Sequence, residues 1–186
     1  MNYIEYTQLY EEILSGKITH SPYNDPHFVE YTKLNQSRSH RWDMKGVLIE
    51  QCISTIQSID VPMHWILITE PWCGDAAHSV PFIAKMAALN PLIHLEIQLR
   101  DSDDSEIESY LTKGAKSIPM LVARNSFGED LFVWGPRPQG CQELHQTLKA
   151  QEVTFEELKT GLQQWYNADK GVSIQEEIVA QLQSLS

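Results

Sequence analysis

The cysteine at position 73 is the residue whose type and setting could do chemistry. The apolar run Trp65 to Ile68 before it has the length and β-branched content of a buried strand, and Asp75 to Leu89 after it is compatible with a helix. A thiol at such a junction lies against backbone N–H groups that have no intrahelical acceptor and that stabilise a thiolate. We therefore expect a reactive Cys73 with a pKa below the free-cysteine value of about 8.5.

A structural role for Cys73 is the alternative, because free cysteine is among the most buried residue types. The neighbours Glu70, Pro71, Gly74 and Asp75 favour a surface turn over a packed interior. The residues alone leave both interpretations open.

Two nearby ionisable residues act on the predicted thiolate in opposite directions. His78 falls in the second turn of the predicted helix, where we expect an exposed or capping histidine; a cation there would lower the pKa of the thiol. Asp75 would raise that pKa by like-charge repulsion, although it favours the helix N-terminus itself. The sign of the sum stays open at this point.

Two ordered motifs resemble the thioredoxin family. Residues 72–76, WCGDA, with Pro81 further along the helix, are similar to the thioredoxin motif WCGPC followed by a helix that contains a proline. Residues 114–121, GAKSIPML, resemble the stretch in which thioredoxins carry a cis-proline facing the reactive cysteine. A turn at 125–128 and then Gly135 fall where thioredoxins have a hairpin and a glycine. The resemblance covers residues 61–150.

This resemblance implies an α/β, thioredoxin-like fold in which a central mixed sheet is flanked by helices, with helices added at both ends. It implies that Cys73 is the catalytic residue and that the Ile118-Pro119 bond is cis. It also implies a groove for an extended substrate, formed by Trp72, Gly74, Asp75, Ile118 and Pro119.

Three departures from the family pattern limit the chemistry. Ala76 stands where thioredoxins have the resolving cysteine, so disulfide exchange within a Cys-x-x-Cys pair is excluded. Asp75 replaces the proline of the motif. Leu67 occupies the strand position where thioredoxins bury an acidic proton acceptor.

Three functions are compatible with these residues. The first is a monothiol redox protein: Cys73 attacks a protein disulfide or a glutathionylated protein, and an external thiol resolves the mixed disulfide. The second is a non-enzymatic module that binds a peptide in the groove. The third and weakest is a peroxidase, because Glu70 stands where such sites have a threonine, and Thr69 is one residue too early.

The implied partners are protein thiols or disulfides, with glutathione as a candidate co-substrate. We expect no other cofactor and no metal site, because the seven histidines are scattered without ligand spacing. A net charge of -11 argues against binding to nucleic acid or to an anionic membrane.

Cysteine usage and the absence of leader-like or membrane-spanning segments predict a soluble, cytoplasmic protein. The cysteines Cys52, Cys73 and Cys141 are widely separated and form neither a disulfide framework nor a zinc pattern, which fits a reducing compartment. Cys52 lies in an apolar helical stripe, so we expect it in the core.

A basic run at residues 35–45 contrasts with the acidic chain. Arg38, Arg41 and Lys45 in this run are interpreted as a solvated helix face. The alternative is that they anchor an acidic partner or a carboxylate of glutathione.

Hydrophobic periodicity and turn residues predict the remaining elements. Residues 1–60 are expected to be a helical extension without a strand, 61–150 the thioredoxin-like core, and 151–186 a C-terminal helical extension packed on the core. Predicted helices cover residues 1–16, 25–34 or beyond, 47–59, 75–89, 107–111, 139–150, 154–166 and 173–185; predicted strands cover 65–68, 92–99, 120–123 and 131–134.

Overall fold

The computed structural model describes residues 1–185, which form seven α-helices and one mixed four-stranded sheet. The strands, in the sheet order β2-β1-β3-β4, are β1 (Met63–Thr69), β2 (Ile93–Leu99), β3 (Met120–Arg124) and β4 (Asp130–Trp134). The helices are α1 (Tyr3–Leu14), α2 (Pro26–Lys45), α3 (Glu50–Gln57), α4 (Gly74–Ala88), α5 (Gln139–Ala150), α6 (Phe155–Asp169) and α7 (Val172–Gln183).

Strand β1 lies at the centre because its apolar run is buried on both faces. It pairs with β2 in parallel, through the crossover helix α4, and with β3 in antiparallel orientation. In that register Ile68 is opposite Met120. The loop that leaves β1 and the loop that enters β3 are therefore at the same end of the sheet, which places Cys73 beside Pro119.

The helices pack on this sheet and on one another. Helix α4, the most apolar of them, contacts β1, β2, α2, α3 and α7, while α6 packs on α5 and α7 packs on α3. Helix α2 continues to Lys45, so the basic run lies within it. The predicted capping box at the start of α6 is present: the Thr154 side chain accepts from the Glu157 amide, and the Glu157 carboxylate accepts from the Thr154 amide.

The predicted order of strands and helices is confirmed, with boundaries shifted by a few residues. Residues 107–111 form only a short 3₁₀ turn, Ile107–Ser109, and β1 is the first strand of the described chain, as expected. Cys52 and Cys141 are both fully buried, and Cys52 belongs to the main hydrophobic core, as expected. No helix within residues 1–185 is both long enough and apolar enough to cross a membrane.

Candidate functional site

Cys73 is the N-cap residue of α4 and adopts an extended backbone conformation. The thiol donates a hydrogen bond to the Ile118 carbonyl oxygen, 3.4 Å from Sγ, and the residue is only 7% exposed. The Ile118-Pro119 bond is cis, as predicted. The structure thus brings together the cysteine and the proline segment that the sequence separates by 45 residues.

Gly135 packs against the other side of this segment. Its φ of +136° suits glycine, and a Cβ atom at this position would collide with the Pro119 carbonyl oxygen. The glycine that the family resemblance singled out is therefore required by the close approach of two backbones.

The predicted low pKa of Cys73 is wrong for this structure. Burial raises the pKa of the thiol to about 12, and the negative charge of Asp75 adds to the rise. The backbone amides of Ala76 and Asp75 and the positive charge of Arg137 act in the opposite direction. The helix N-terminus does favour the thiolate, as predicted, but desolvation outweighs it, and the resting thiol is protonated at neutral pH.

Asp75 faces two partners that the sequence did not suggest. Its carboxylate accepts from Arg137 Nη2 at 2.6 Å and from the Tyr166 hydroxyl at 2.9 Å. Both charged side chains are largely buried, with 12% of Asp75 and 17% of Arg137 exposed. Arg137 follows β4, and Tyr166 lies on α6, so the carboxylate beside the cysteine connects three elements.

His78 is neither exposed nor a cation, which corrects the expectation for this residue. It is 4% exposed, and burial lowers its pKa to about 3. Its Nδ1 accepts from Trp42 Nε1 at 2.9 Å, so in the neutral ring Nε2 carries the proton and donates to Gln163 Oε1 at 3.1 Å. His78 therefore connects α2, α4 and α6 and supplies no positive charge to the thiol.

The loop before Cys73 is held by polar and aromatic contacts. The ring of Phe28 packs edge-on against Trp72, with centroids 5.3 Å apart, and the Arg100 guanidinium lies over Trp72 at 4.6 Å. The buried carboxylate of Glu70 accepts from the Tyr23 hydroxyl at 3.0 Å and from the Asp101 amide at 3.2 Å, and burial raises its pKa.

Cys73 opens onto a cleft of about 850 Å³, a volume in the range of ligand-binding pockets. Helices α2 and α6 form walls of this cleft, and all the residues that we predicted for the site line it except Pro119. Six of the 14 lysines and arginines line the cleft, but only two of the 25 aspartates and glutamates do so within the described residues. The lining cations are Arg38, Arg100, Lys116, Arg137, Lys149 and Lys159.

A family model described as thioredoxin matches residues 23–159 of this sequence. The chain belongs to this thioredoxin family. The match and the mixed sheet with its helices agree with the predicted α/β, thioredoxin-like fold. No curated protein gives a significant match.

Two solved structures resemble this thioredoxin-family chain. A protein of unknown function from Pseudomonas aeruginosa has a TM-score of 0.52 and 18% sequence identity, over 78% of this chain and 92% of that one. An HIV epitope scaffold has a TM-score of 0.58 and 14% identity, over 99% of both chains. At these identities the likeness concerns the fold.

The C-terminal helices contribute to the site in a way that sequence reasoning missed. Tyr166 and Gln163 on α6 contact Asp75 and His78, and α6 forms one wall of the cleft. The periodicity of α6 identified a helix but gave no signal for its packing partner.

Within residues 1–185, no group of three or more His, Cys, Asp or Glu side chains is arranged to hold a metal ion.

Proposed function

We propose that this thioredoxin-family protein carries out thiol–disulfide exchange through the single thiol of Cys73. The observation that carries the proposal is the placement of Cys73 in the lining of the cleft, at the N-terminus of α4, with Sγ 3.4 Å from the carbonyl oxygen that precedes the cis-proline. Trp72, Gly74 and Asp75 on one side, and Ile118 on the other, then contact an extended substrate, while the cis bond to Pro119 sets the orientation of the Ile118 backbone.

The proposed reaction forms one disulfide bond and breaks one. Cys73 loses its proton, its sulfur attacks one sulfur of a protein or glutathione disulfide, and the leaving thiolate takes up a proton. The α4 amides that point to Sγ stabilise the thiolate in this step, while the surrounding apolar contacts oppose it.

An external thiol completes the cycle, because the neighbouring position offers none. Ala76 occupies the resolving position, and Cys52 and Cys141 are both fully buried free thiols. Glutathione, or another small thiol, attacks the substrate sulfur of the mixed disulfide and forms a new disulfide with it, while Cys73 leaves as a thiolate and takes up the proton that the attacking thiol has lost. This cycle requires a reducing compartment, so we place it in the cytoplasm.

A non-enzymatic peptide-binding module is the second candidate. The raised pKa of Cys73, about 12, and its small exposure favour this function, because a protonated thiol is a poor nucleophile. In that case the same cleft binds the peptide, and Cys73 serves as part of its lining.

Treatment with glutathione disulfide separates the two functions. In a variant with Cys52→Ala and Cys141→Ala, exchange predicts one glutathionyl adduct by intact mass, reversed by added thiol. A matched variant that also carries Cys73→Ser controls for adducts elsewhere. If the protein stays unmodified after prolonged incubation at pH 7 to 8.5, exchange is rejected and the peptide-binding module is the remaining function. If the chain with all three cysteines forms an internal disulfide, the resolving thiol is a remote cysteine of the protein and not an external thiol.

A further inference from the structure

The cleft has the opposite charge from the rest of the molecule. Its six cations and two carboxylates give the lining a formal charge of +4, and because the whole chain carries -11, the remainder carries -15. Both lining carboxylates are already in ion pairs, Asp75 with Arg137 and Glu156 with Lys159. Two further lining cations, Arg100 and Lys116, have acidic partners outside the cleft, Asp101 and Glu108.

Arg38 is the cleft arginine without such a partner. Arg100, Arg124 and Arg137 each form an ion pair, whereas within residues 1–185 the Arg38 guanidinium donates to an amide oxygen, that of Asn35, at 3.0 Å. Arg41, one turn further along α2, likewise donates to the amide oxygen of Asn167. Arg41 also lies over the ring of Trp42, 4.3 Å from its centroid. In a chain with 25 carboxylates, two neighbouring arginines that form no ion pair within residues 1–185 leave positive charge available for a ligand.

Arg38 is held beside Gly74, the residue that follows Cys73. Asn35, 1% exposed, donates through Nδ2 to the Pro71 carbonyl oxygen at 3.1 Å and accepts from Arg38 through Oδ1. A Cβ atom on Gly74 would lie 3.7 Å from Arg38 Nη1. The same buried amide thus links the guanidinium to the loop that carries Cys73, and an anion bound by Arg38 would lie next to the reacting sulfur.

Burial and the charge of Arg41 lower the pKa of Arg38, and Asp75 opposes them. Asp75 does not neutralise Arg38, because the charge of its carboxylate is already balanced by the ion pair with Arg137. A carboxylate from a ligand would relieve the repulsion between the two arginines and form charge-assisted hydrogen bonds with the free N–H groups of Arg38.

We propose that the cleft binds an acidic protein segment, with a carboxylate side chain of that segment on Arg38 beside Cys73. Binding of the segment does not depend on the proposed thiol–disulfide exchange; only the reaction of the bound segment with Cys73 does. A segment fits better than a small free disulfide because the cations come from helices α2, α5 and α6 and from three loops around the cleft, and because apolar side chains of Phe28, Leu158 and Leu162 line the space between them. Arg38 is the residue of the basic run that lines the cleft, whereas Lys45 lies exposed at the C-terminal end of α2.

Binding is tested first without disulfide chemistry. The protein carries Cys73→Ser, and the probes are two fluorescein-labelled nonapeptides with a central serine, one flanked by aspartates and one by asparagines. Anisotropy at low salt should show at least about tenfold tighter binding of the aspartate peptide, and this preference should fall as salt is raised.

Variants of α2 then assign the preference to Arg38. Arg38→Gln should weaken binding of the aspartate peptide about tenfold and leave the asparagine peptide unchanged. Lys45→Gln makes the same change in charge on the same helix and should leave the binding of both peptides unchanged. Thermal unfolding followed by circular dichroism checks that Arg38→Gln is folded. If it is not, Arg38→Lys replaces it, because lysine keeps the charge but loses the guanidinium geometry. Equal binding of the two peptides, or equal losses in Arg38→Gln and Lys45→Gln, would overturn the proposal.

The disulfide step is tested separately in the protein that keeps Cys73. The two peptides are remade with a central cysteine in place of the serine, and that cysteine is joined to glutathione by a disulfide. The aspartate peptide should modify Cys73 faster than the asparagine peptide does. Aspartate-dependent binding to Cys73→Ser without any adduct on Cys73 would keep the acidic specificity and reject exchange. If both peptides modify Cys73 at equal rates, exchange stands but the acidic segment is overturned as the ligand. The same holds if Arg38→Gln slows modification by free glutathione disulfide but not modification by the aspartate peptide.

Discussion

Tyr166 lies flat on His78, with ring centroids 4.4 Å apart and ring planes 5° from parallel. Its hydroxyl reaches past the stack to the carboxylate of Asp75, two residues after Cys73. One side chain of α6 therefore contacts both Asp75 and His78 in the first turns of α4. Helix α6 thus holds the start of the helix that carries the thiol.

Tyr166→Phe and Tyr166→Ala should separate the hydroxyl from the ring. Phenylalanine keeps the stack but removes a hydrogen bond to a charged group, so we expect a loss of about 1.5 kcal/mol in the free energy of unfolding. Alanine also leaves a cavity where a buried ring stood and should cost about 3 to 5 kcal/mol. Urea unfolding measures both.

Alkylation of Cys73 in the native state is the second measurement on these Tyr166 variants. The alanine variant should react faster with a neutral maleimide, because the ring that holds the α6 wall against Asp75 and His78 is gone. Phe127→Ala is the control: it removes an aromatic ring that is 87% exposed in the turn between β3 and β4, outside the cleft, and should leave the rate unchanged. Equal rates in Tyr166→Ala and the unaltered protein would show that α6 does not restrict access to the thiol.

The charges beside Cys73 should move its pKa in opposite directions. Asp75→Asn removes a negative charge that raises the pKa of the thiol, so the midpoint of alkylation rate against pH should fall. Arg137→Gln removes a positive charge that lowers it, so the midpoint should rise. The rates are measured in a background that lacks Cys52 and Cys141.

A matched control for the lost carboxylate is Asp60→Asn, at an exposed position, which should leave the midpoint of Cys73 unchanged. A midpoint below about 8.5 in the unaltered site would contradict the dominance of burial.

The sequence was sufficient for the fold because its strongest signals are local. Three features each specify structure over a few residues: the apolar run of β1, the turn at 125–128 and the capping residue Thr154. The placement of Cys73 beside Ile118 came instead from the family resemblance of residues 72–76 and 114–121, and the structure achieves it through the pairing of β1 with β3.

The environment of the site was not predictable in the same way, because it depends on contacts between distant segments. Asp75 and Tyr166 are brought together by the packing of α6, and no periodicity in α6 encodes which surface it covers. The expected low pKa of the thiol gave the helix amides, whose effect is local, more weight than burial, which depends on tertiary packing. The expectation for His78 was wrong for the same reason, since its partners Trp42 and Gln163 lie on α2 and α6.

His78 should make the protein less stable as the pH falls below 6.5. Its pKa is depressed to about 3 in the folded protein and is near 6.5 in the unfolded chain, so between these values the unfolded chain binds a proton that the folded protein does not. Stability therefore rises with pH through this window and is fully present above it. From pH 7.5 to 5 the expected loss is about 2 kcal/mol.

The measurement is urea unfolding of the wild-type chain and of His78→Asn at several pH values between 5 and 7.5. The variant is expected to be less stable at pH 7.5 but to lose about 2 kcal/mol less on acidification, and this difference cancels the titration of other groups such as Glu70. His20→Asn, at an exposed position, should follow the wild-type slope. Parallel slopes in wild type and His78→Asn would contradict a buried neutral imidazole.

Ala76→Cys should restore the internal resolving thiol that the motif lacks. The position is fully buried in the first turn of α4, and the Asp75 and Ala76 amides already point to Sγ of Cys73. We expect a disulfide between residues 73 and 76 after mild oxidation, and a glutathionyl adduct that no longer persists, because the new thiol displaces glutathione from Cys73. Intact mass and thiol counting, in a background without Cys52 and Cys141, follow both species.

Ala77→Cys is the matched control for this restored pair, since position 77 is equally buried but lies one residue further around the helix. The thiol there should leave the glutathionyl adduct on Cys73 in place. A persistent adduct in Ala76→Cys would mean that the first turn of α4 cannot open enough to form the disulfide. Such a result would separate this site from dithiol members of its family by geometry as well as by sequence.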